Sequence, residues 1–351
     1  MIERYLNPEI NSIWDDQNKF DTWKLVQEKY VETLEELDVA ENGIAKKINQ
    51  SVVQKDEVYK QEEITNHDLA SFVDILQKKV GEGSNWIHYG LTSSDIVDTA
   101  NSVLIMQSLD YVMDLVNDFL STLQEKAVQE KDTLIIGRTH GVYAEETFLG
   151  NIFGNWHLEV ARGLNRLENS KNNISFGKLS GPVGNHSVVT SEMEKLTLEK
   201  LSLKSEQFAN QIVSRDRYAE VVSSLGILAS TYERIATNIR VYQRSEISEM
   251  FESFKDGQKG SSAMPHKKNP IGSERITGLA RIMRSYVSTS LENMVLWNER
   301  DISNSSVERI MLPDAFHLIS FMSIELNSIL KHLVINYEPV SYTHLRAHET
   351  G

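Results

Sequence analysis

The chain of 351 residues contains no cysteine, which excludes disulfides, thiolate metal sites and a cysteine nucleophile. It has no run of about 18 apolar residues, so a membrane-spanning helix is not expected. Its first residues lack the basic stretch and apolar core of a secretory signal. We therefore expect a protein of a reducing compartment, the cytoplasm.

Basic residues are also in deficit, because 36 Lys and Arg oppose 50 Asp and Glu and leave a net charge of -14. This charge repels nucleic acid and anionic membranes, and we expect neither as a partner. Between residues 255 and 309, however, nine basic residues outnumber six acidic ones. Because screening limits electrostatic reach to about 8 Å in the cell, a pocket of local cations can still bind a small anion.

Proline is scarce too, with six in the chain and none between Pro8 and Pro182 or between Pro182 and Pro265, so long helices can run unbroken. Apolar residues recur at helical spacing from Ser93 or Ser94 to about residue 127, and again over about 145–170, 215–249, 271–296 and 306–335. Strand signals are few. The sequence predicts an all-α protein, with a small helical domain over 1–90 and a bundle of long helices over 91–338.

The segment Gly260–Pro270 contains mainly residues that can take part in binding or catalysis rather than in core packing. Glycine supplies backbone freedom and proline punctuates the segment. We interpret it as a loop that closes over an anion, and a solvated basic turn is the alternative. The side chains that would act there are Ser261, Ser262, His266, Lys267, Lys268 and Asn269.

Four other segments combine histidine, hydroxyl, amide or cationic side chains in the same way. Residues 65–68 and 88–95 have helix capping as their alternative explanation. Residues 137–141 place a histidine between glycines directly before a predicted helix, and the alternative is a structural histidine. Residues 297–309 are rich in arginine and serine, with surface ion pairing as the alternative. Together they predict a pocket without metal or cofactor, suited to acid–base chemistry on an anion.

In their order along the chain, these motifs resemble the bacterial short-type adenylosuccinate lyases of the fumarase/aspartase superfamily. The resemblance spans about residues 1–338, and the nearest rival branch is that of the carboxymuconate cycloisomerases. It implies the long-helix bundle of that superfamily. The motifs are R-Y at 4–5, N-H-D at 66–68, H-Y-G-L-T-S-S-D at 88–95, G-R-T-H-G at 137–141, Gln211 before Arg215-Asp216, G-S-S-A-M-P-H-K-K-N-P at 260–270 and S-S-V-E-R at 305–309.

The resemblance implies β-elimination of fumarate from adenylosuccinate, and from the succinylated aminoimidazole carboxamide ribotide of purine synthesis. It implies Ser261 as the base and His140 as the general acid. Because an unperturbed serine is a poor base, cations such as Lys267 must stabilise its alkoxide. Glu274 corresponds to the acidic partner of the catalytic histidine, and His67 would orient the substrate or support the acid.

The same resemblance implies the substrate contacts and the assembly. Each site in the superfamily draws on three subunits of a homotetramer, so we expect a monomer to be inactive. The succinyl carboxylates would contact Thr92, Ser93, Lys267 and Asn269. The nucleotide phosphate and its neighbouring groups would contact Arg4, Tyr5, Arg300, Ser305 and Arg309. Further substrate contacts would be Asn66, Asp68, Gln211, Ser262 and Ser306.

The chain departs from the family near its end. The match stops at about Glu338, before the family's C-terminal helical domain, and residues 339–351 form a tail unlike the family. We interpret the chain as truncated or chimeric. An inactive helical scaffold is therefore the alternative to a working enzyme.

Overall fold

The structure is a computed structural model that describes residues 1–254, 257, 264 and 267–338. Most of these residues are helical, which confirms the predicted all-α class. Eleven α-helices lie within the described residues: α1 (Pro8–Trp14), α2 (Asp16–Glu36), α3 (Ile44–Gln50), α4 (Lys55–Thr65), α5 (Asp68–Val80), α6 (Ser93–Gln129), α7 (Leu149–Ile174), α8 (Ser191–Lys200), α9 (Arg215–Tyr242), α10 (Ile271–Glu292) and α11 (Ser303–Lys331).

Short 3-10 helices and strands connect the α-helices. The 3-10 helices cover Glu3–Tyr5 and Ser84–Trp86. Three two-stranded sheets pair β1 with β2 antiparallel, β3 with β4 parallel and β5 with β6 antiparallel. The strands are β1 (Leu134–Thr139), β2 (Val142–Phe148), β3 (Phe176–Gly177), β4 (Lys204–Ser205), β5 (Met250–Phe251) and β6 (Val334–Ile335).

Helix α6 is the long helix expected from the apolar spacing after residue 93. Its N-cap is Thr92, one residue earlier than predicted, and the Asp95 carboxylate accepts from the Thr92 N–H at 2.8 Å. At 1.5 Å per residue its 37 residues extend over about 55 Å. Its length therefore sets the long dimension of the bundle.

Two hydrophobic cores hold the helices together. The larger one lies among α6, α7, α9, α10 and α11 and includes Phe119, Trp156 and Tyr232. The smaller one packs α2 and α5 against the beginning of α6, and Leu179 and Leu198 also belong to it. The division of the chain at residue 90 into two domains stays a prediction.

One local expectation was wrong. The segment 137–141 does not lead directly into a helix, because β2 follows it and α7 begins only at Leu149. His140 and Gly141 have φ of 56° and 80°, so both form the tight left-handed turn of the β1–β2 hairpin. His140 is therefore presented at the tip of a hairpin, with its side chain exposed.

Within the described residues, no helix combines the length and the apolar character that a bilayer crossing requires.

Candidate active site

The first functional cluster lies where α5, α6, α9 and α11 begin. Asp68, Ser93, Arg215 and Ser303 are the first residues of these helices. Contacts between them bring the four helix starts together, and backbone N–H groups at such starts favour anions. We call this group the arginine cluster, which consists of His67, Asp68, Ser93, Ser94, Gln211, Arg300, Asn304, Ser305 and Arg309.

His67 lies at the beginning of α5 and faces the beginning of α6. Its ring Nδ1 accepts from the Ala70 N–H at 3.3 Å, so His67 itself is the N-cap. Its Nε2 lies 3.4 Å from the Ser93 hydroxyl. A capping box from Thr65 to Asp68, the form of capping expected for the segment 65–68, is not formed, because Thr65 ends the preceding helix.

Asp68 connects α5 to α11 through an ion pair with Arg309, whose Nη2 lies 2.6 Å from the carboxylate. Burial raises the pKa of Asp68, but the charge of Arg309 and that of Lys19 outweigh it, and the pKa lies below its usual value. Asp68 is therefore an anion that holds Arg309 at the mouth of the cluster.

Within the described part of the chain, the hydrogen bonds of the Arg300 side chain all go to neutral side chains. Its Nη1 donates to the Ser94 hydroxyl and to Gln211 Oε1, both at 3.3 Å. Its Nε donates to Asn304 Oδ1 at 3.3 Å. Among the residues that the structure describes, Arg300 has no carboxylate at ion-pair distance, so its charge is available to an anionic ligand.

Arg215 forms a buried ion-pair network next to the arginine cluster. Its guanidinium donates to Glu308 from Nε at 2.7 Å and from Nη2 at 3.0 Å, and it also forms an ion pair with Asp98. All three side chains are buried. Since Asp98 is on α6 and Glu308 on α11, the Arg215 network fixes the relative positions of three helices.

A cavity of about 210 Å³ opens inside the arginine cluster. Lys19 and Trp23 of α2 contribute to its wall, and neither was predicted from the sequence. Trp23 is 2% exposed, and its Nε1 has no hydrogen-bond partner among the described residues. The lining residues are Trp14, Asp16, Lys19, Trp23, Asp68, Val97, Asp98, Asn101, Arg215, Arg300, Ser305, Glu308, Arg309, Leu312 and Pro313.

His88, in the segment before α6, lies against this region. It has a left-handed φ of 63°, and its backbone N–H donates to Gln27 Oε1 at 3.0 Å. Its Nδ1 lies 3.1 Å from Gln27 Nε2. Burial, assisted by the neighbouring His67, lowers the pKa of His88 to about 4. The His88 ring is therefore neutral at pH 7.

The second functional group lies at the opposite end of the bundle, around the β1–β2 hairpin. Arg138 pairs with the fully buried Glu249 through two bonds, of 2.9 Å from Nη1 and 2.7 Å from Nη2. The Arg138 guanidinium carbon also lies 5.1 Å from the ring centroid of Tyr143. These contacts hold the hairpin that carries His140.

Lys267, Asn269 and Glu274 line a cavity of about 760 Å³ near this hairpin. Its wall also includes two arginines and neighbouring residues at the end of α9 and after it, which are Thr237, Arg240, Val241, Gln243, Arg244, Ser245, Ser248 and Phe251. Gln243, the C-cap of α9, donates from Nε2 to the Lys268 carbonyl at 3.0 Å. Ser261, Ser262 and His266 lie outside the described residues. We call His140, Lys267, Asn269 and Glu274 the hairpin-end group.

A single chain does not bring the two groups together. Helix α9 begins at Arg215, next to the arginine cluster, and ends beside Lys268, and its 28 residues extend over about 42 Å. The predicted succinyl contacts are divided accordingly. Thr92 and Ser93 lie at one end of the bundle, and Lys267 and Asn269 lie at the other.

The remaining predicted site residues are also dispersed. Tyr5 packs edge-on against Phe321, with ring centroids 5.0 Å apart, twelve residues along α11 from Arg309. That spacing places Tyr5 about 18 Å from the arginine cluster, measured along the helix. The exposed residues Arg4, Asn66 and Ser306 are absent from the wall of the 210 Å³ cavity.

The described part of the chain contains no group of three or more histidine and acidic side chains arranged to hold a metal ion.

The chain was then compared with known proteins. A family model described as Lyase matches residues 18–284. The adenylosuccinate lyase of Thermotoga maritima is 43% identical over 339 residues, which are 96% of this chain and 79% of that protein. The adenylosuccinate lyase of Aquifex aeolicus is 43% identical over 344 residues, with coverage of 96% and 78%.

Solved structures share the fold. The 3-carboxy-cis,cis-muconate lactonizing enzyme from Pseudomonas putida superposes with a TM-score of 0.88, over 97% of this chain and 78% of that one, at 22% identity. At this identity the likeness shows the fold alone, and it confirms the predicted long-helix bundle. The sequence identity to the lyases named above is about twice as high.

Proposed function

Because the chain belongs to the adenylosuccinate lyase family, we propose that it eliminates fumarate from adenylosuccinate to give AMP, and from the succinylated aminoimidazole carboxamide ribotide to give the free carboxamide. It is a lyase that breaks a carbon–nitrogen bond. A cytoplasmic homotetramer is part of the same proposal. The observation that carries it is the arginine cluster, where Arg300 offers an uncompensated positive charge to a polyanionic nucleotide.

The chemistry requires a base, an acid and a cation. A proton leaves the carbon beside a carboxylate, the electron pair of that C–H bond forms the new double bond, and the C–N bond breaks. In the proposal Ser261 takes the proton and His140 protonates the departing nitrogen. Lys267 stabilises the charge that accumulates on the carboxylate in between. Glu274, near the hairpin, would hold the histidine in its working orientation.

The distance between the two groups supports shared sites. Arg300 and the catalytic His140 lie at opposite ends of helices that extend over about 42 Å or more. Adenylosuccinate is much shorter than this distance. In this proposal a working site therefore combines the arginine cluster of one copy with hairpin-end residues of other copies, which a tetramer with three-subunit sites would provide.

The direct test measures fumarate release from both substrates. We expect the unmodified protein to be active and R300M to raise KM at least about tenfold, because a charge-assisted bond to the substrate is lost. The control is R284M, because Arg284 is an arginine of α10 already paired with Glu233. S261A should abolish turnover while far-UV circular dichroism stays unchanged. Undiminished activity of S261A would exclude Ser261 as the base.

Mixing two impaired variants, assayed at a substrate concentration well below the raised KM of R300M, tests the shared site. R300M and K267M are unfolded and refolded together, and each is also refolded alone. If a site combines two copies, about a quarter of the sites in the mixture recover both intact groups. Gel filtration of the same samples should show a tetramer. A monomer without activity would instead support the inactive scaffold.

A further inference from the structure

Arg300 lies near the carboxylate of Glu308, in the wall of the same cavity, but forms no ion pair with it. Glu308 lies on α11 close behind it, yet the bond from Arg300 Nε goes to the amide oxygen of Asn304 at 3.3 Å. An arginine beside a carboxylate would ordinarily form a bidentate pair with it. Asn304 occupies the position that separates the two charges.

The orientation of the Asn304 amide is fixed by its other contacts. Its Nδ2 lies 3.1 Å from both Glu308 oxygens, and an amide nitrogen can only donate to a carboxylate. The amide oxygen must therefore point the other way, toward Arg300. Asn304 is fully buried, so water does not compete for either end.

The carboxylate of Glu308 is satisfied without Arg300. It accepts two bonds from Arg215 in addition to those from Asn304. The buried network below the cavity is thus closed. Among the described residues, the hydrogen bond that joins this network to Arg300 is the one to the neutral amide oxygen of Asn304. The result is a guanidinium that is held in place but not neutralised.

We infer that Asn304 is a positioning residue that aims Arg300 at the anionic group of the substrate and keeps its charge separate from Glu308. The inference rests on the proposed function, in which Arg300 binds the nucleotide. It concerns the side-chain type at residue 304. An aspartate there would pair with Arg300, and an apolar side chain would leave Arg300 Nε without a partner.

The test compares N304D with N304L. N304D preserves the shape of the side chain but places a carboxylate against Arg300, so KM for adenylosuccinate should rise about ten- to a hundredfold while kcat changes less than about threefold. N304L removes the orienting bond without adding charge, and a KM rise of about three- to tenfold is expected. N304L also keeps the inference testable if the extra buried charge of N304D prevents folding.

The matched control is N327D on the same helix. Asn327 Oδ1 accepts from the Thr122 hydroxyl at 2.7 Å, a bond that an aspartate can keep. KM should be unchanged in N327D. Thermal unfolding of all variants separates loss of folding from loss of binding.

A double-mutant cycle with R300M shows whether Asn304 acts through Arg300. The affinity for AMP is measured by calorimetry in the unmodified protein, N304D, R300M and the double variant. N304D should weaken binding in the first background and leave it unchanged once Arg300 is absent. Equal weakening in both backgrounds, or none in either, would overturn the inference.

Turnover distinguishes this failure from failure of the proposed function. An unmodified protein that releases no fumarate but binds AMP contradicts the activity and leaves the Asn304 comparison intact. An active enzyme in which N304D and N304L both retain KM contradicts the role of Asn304 alone.

Discussion

Replacing Lys178 by methionine should destabilise the protein strongly, because it leaves a buried carboxylate without its cation. Lys178 and Asp95 are both fully buried and form an ion pair. Lys178 Nζ also donates to the Gly181 carbonyl at 2.9 Å, and Asp95 Oδ2 accepts from the Gly181 N–H at 3.2 Å. These bonds fasten the glycine-rich loop Gly177–Gly184 to the start of α6.

The expected loss follows from the burial of the pair. Removing one partner of a buried ion pair costs about 3–5 kcal/mol, since the remaining charge cannot reach water. With an m-value of about 3 kcal/mol/M, that loss lowers the urea midpoint by about 1–1.7 M. Because Asp95 also accepts from the Thr92 N–H, the α6 start should loosen before the bundle unfolds.

Urea unfolding followed by far-UV circular dichroism measures the effect. The control is K195M, because Lys195 and Glu199 form an exposed i,i+4 pair worth at most about 0.5 kcal/mol. The double variant K178M/D95N removes the stranded charge and should recover part of the loss. A K178M midpoint within about 0.2 M of the unmodified protein would refute the reasoning.

Two further predictions concern single positions. Because burial lowers the pKa of His88 to about 4, the unfolded chain binds more protons than the fold between about pH 6.5 and pH 4, and stability falls as pH falls through that window. Asparagine tolerates the left-handed backbone, and H88N lacks the titrating ring. Over this pH range its free energy of unfolding should fall by about 3 kcal/mol less than that of the unmodified protein, as measured by urea unfolding at several pH values. G184A should lower the thermal midpoint by several degrees, because its Cβ would lie 1.8 Å from the Ala209 carbonyl oxygen and its φ is +71°. G154A, where a Cβ meets nothing within 4 Å, is the control, and equal midpoints for the two would contradict the steric argument.

The long helices could be predicted because their apolar residues follow the helical period and no proline interrupts most of them. Pro313 lies inside α11 and did not prevent its prediction. The hairpin was missed for an equally physical reason. Six of the seven residues of β2 are exposed and Thr147 is half-buried, so the strand shows no alternation of buried and exposed side chains for the sequence to reveal.

The site could be predicted as a set of residues but not as an arrangement. Motifs identified Arg300, Ser305 and Arg309, since their types and spacing are informative on their own. The roles of Asn304 and Lys178 depend on partners brought close by tertiary packing, such as Asp95, which is 83 residues from Lys178. Periodicity and composition carry no signal for such pairs.

The geometry of one chain constrains how copies must meet. Helix α9 is a continuous rod with Arg215 at one end and Gln243, bound to the Lys268 carbonyl, at the other. The rod cannot shorten, so the arginine cluster and the hairpin-end group of one chain cannot share a ligand. If two copies pack with their bundles antiparallel, each arginine cluster faces the partner's hairpin end, and a two-fold axis generates the second site from the first. The opposed ends of the bundle therefore favour the proposed assembly, in which the substrate contacts residues of more than one copy at a single site.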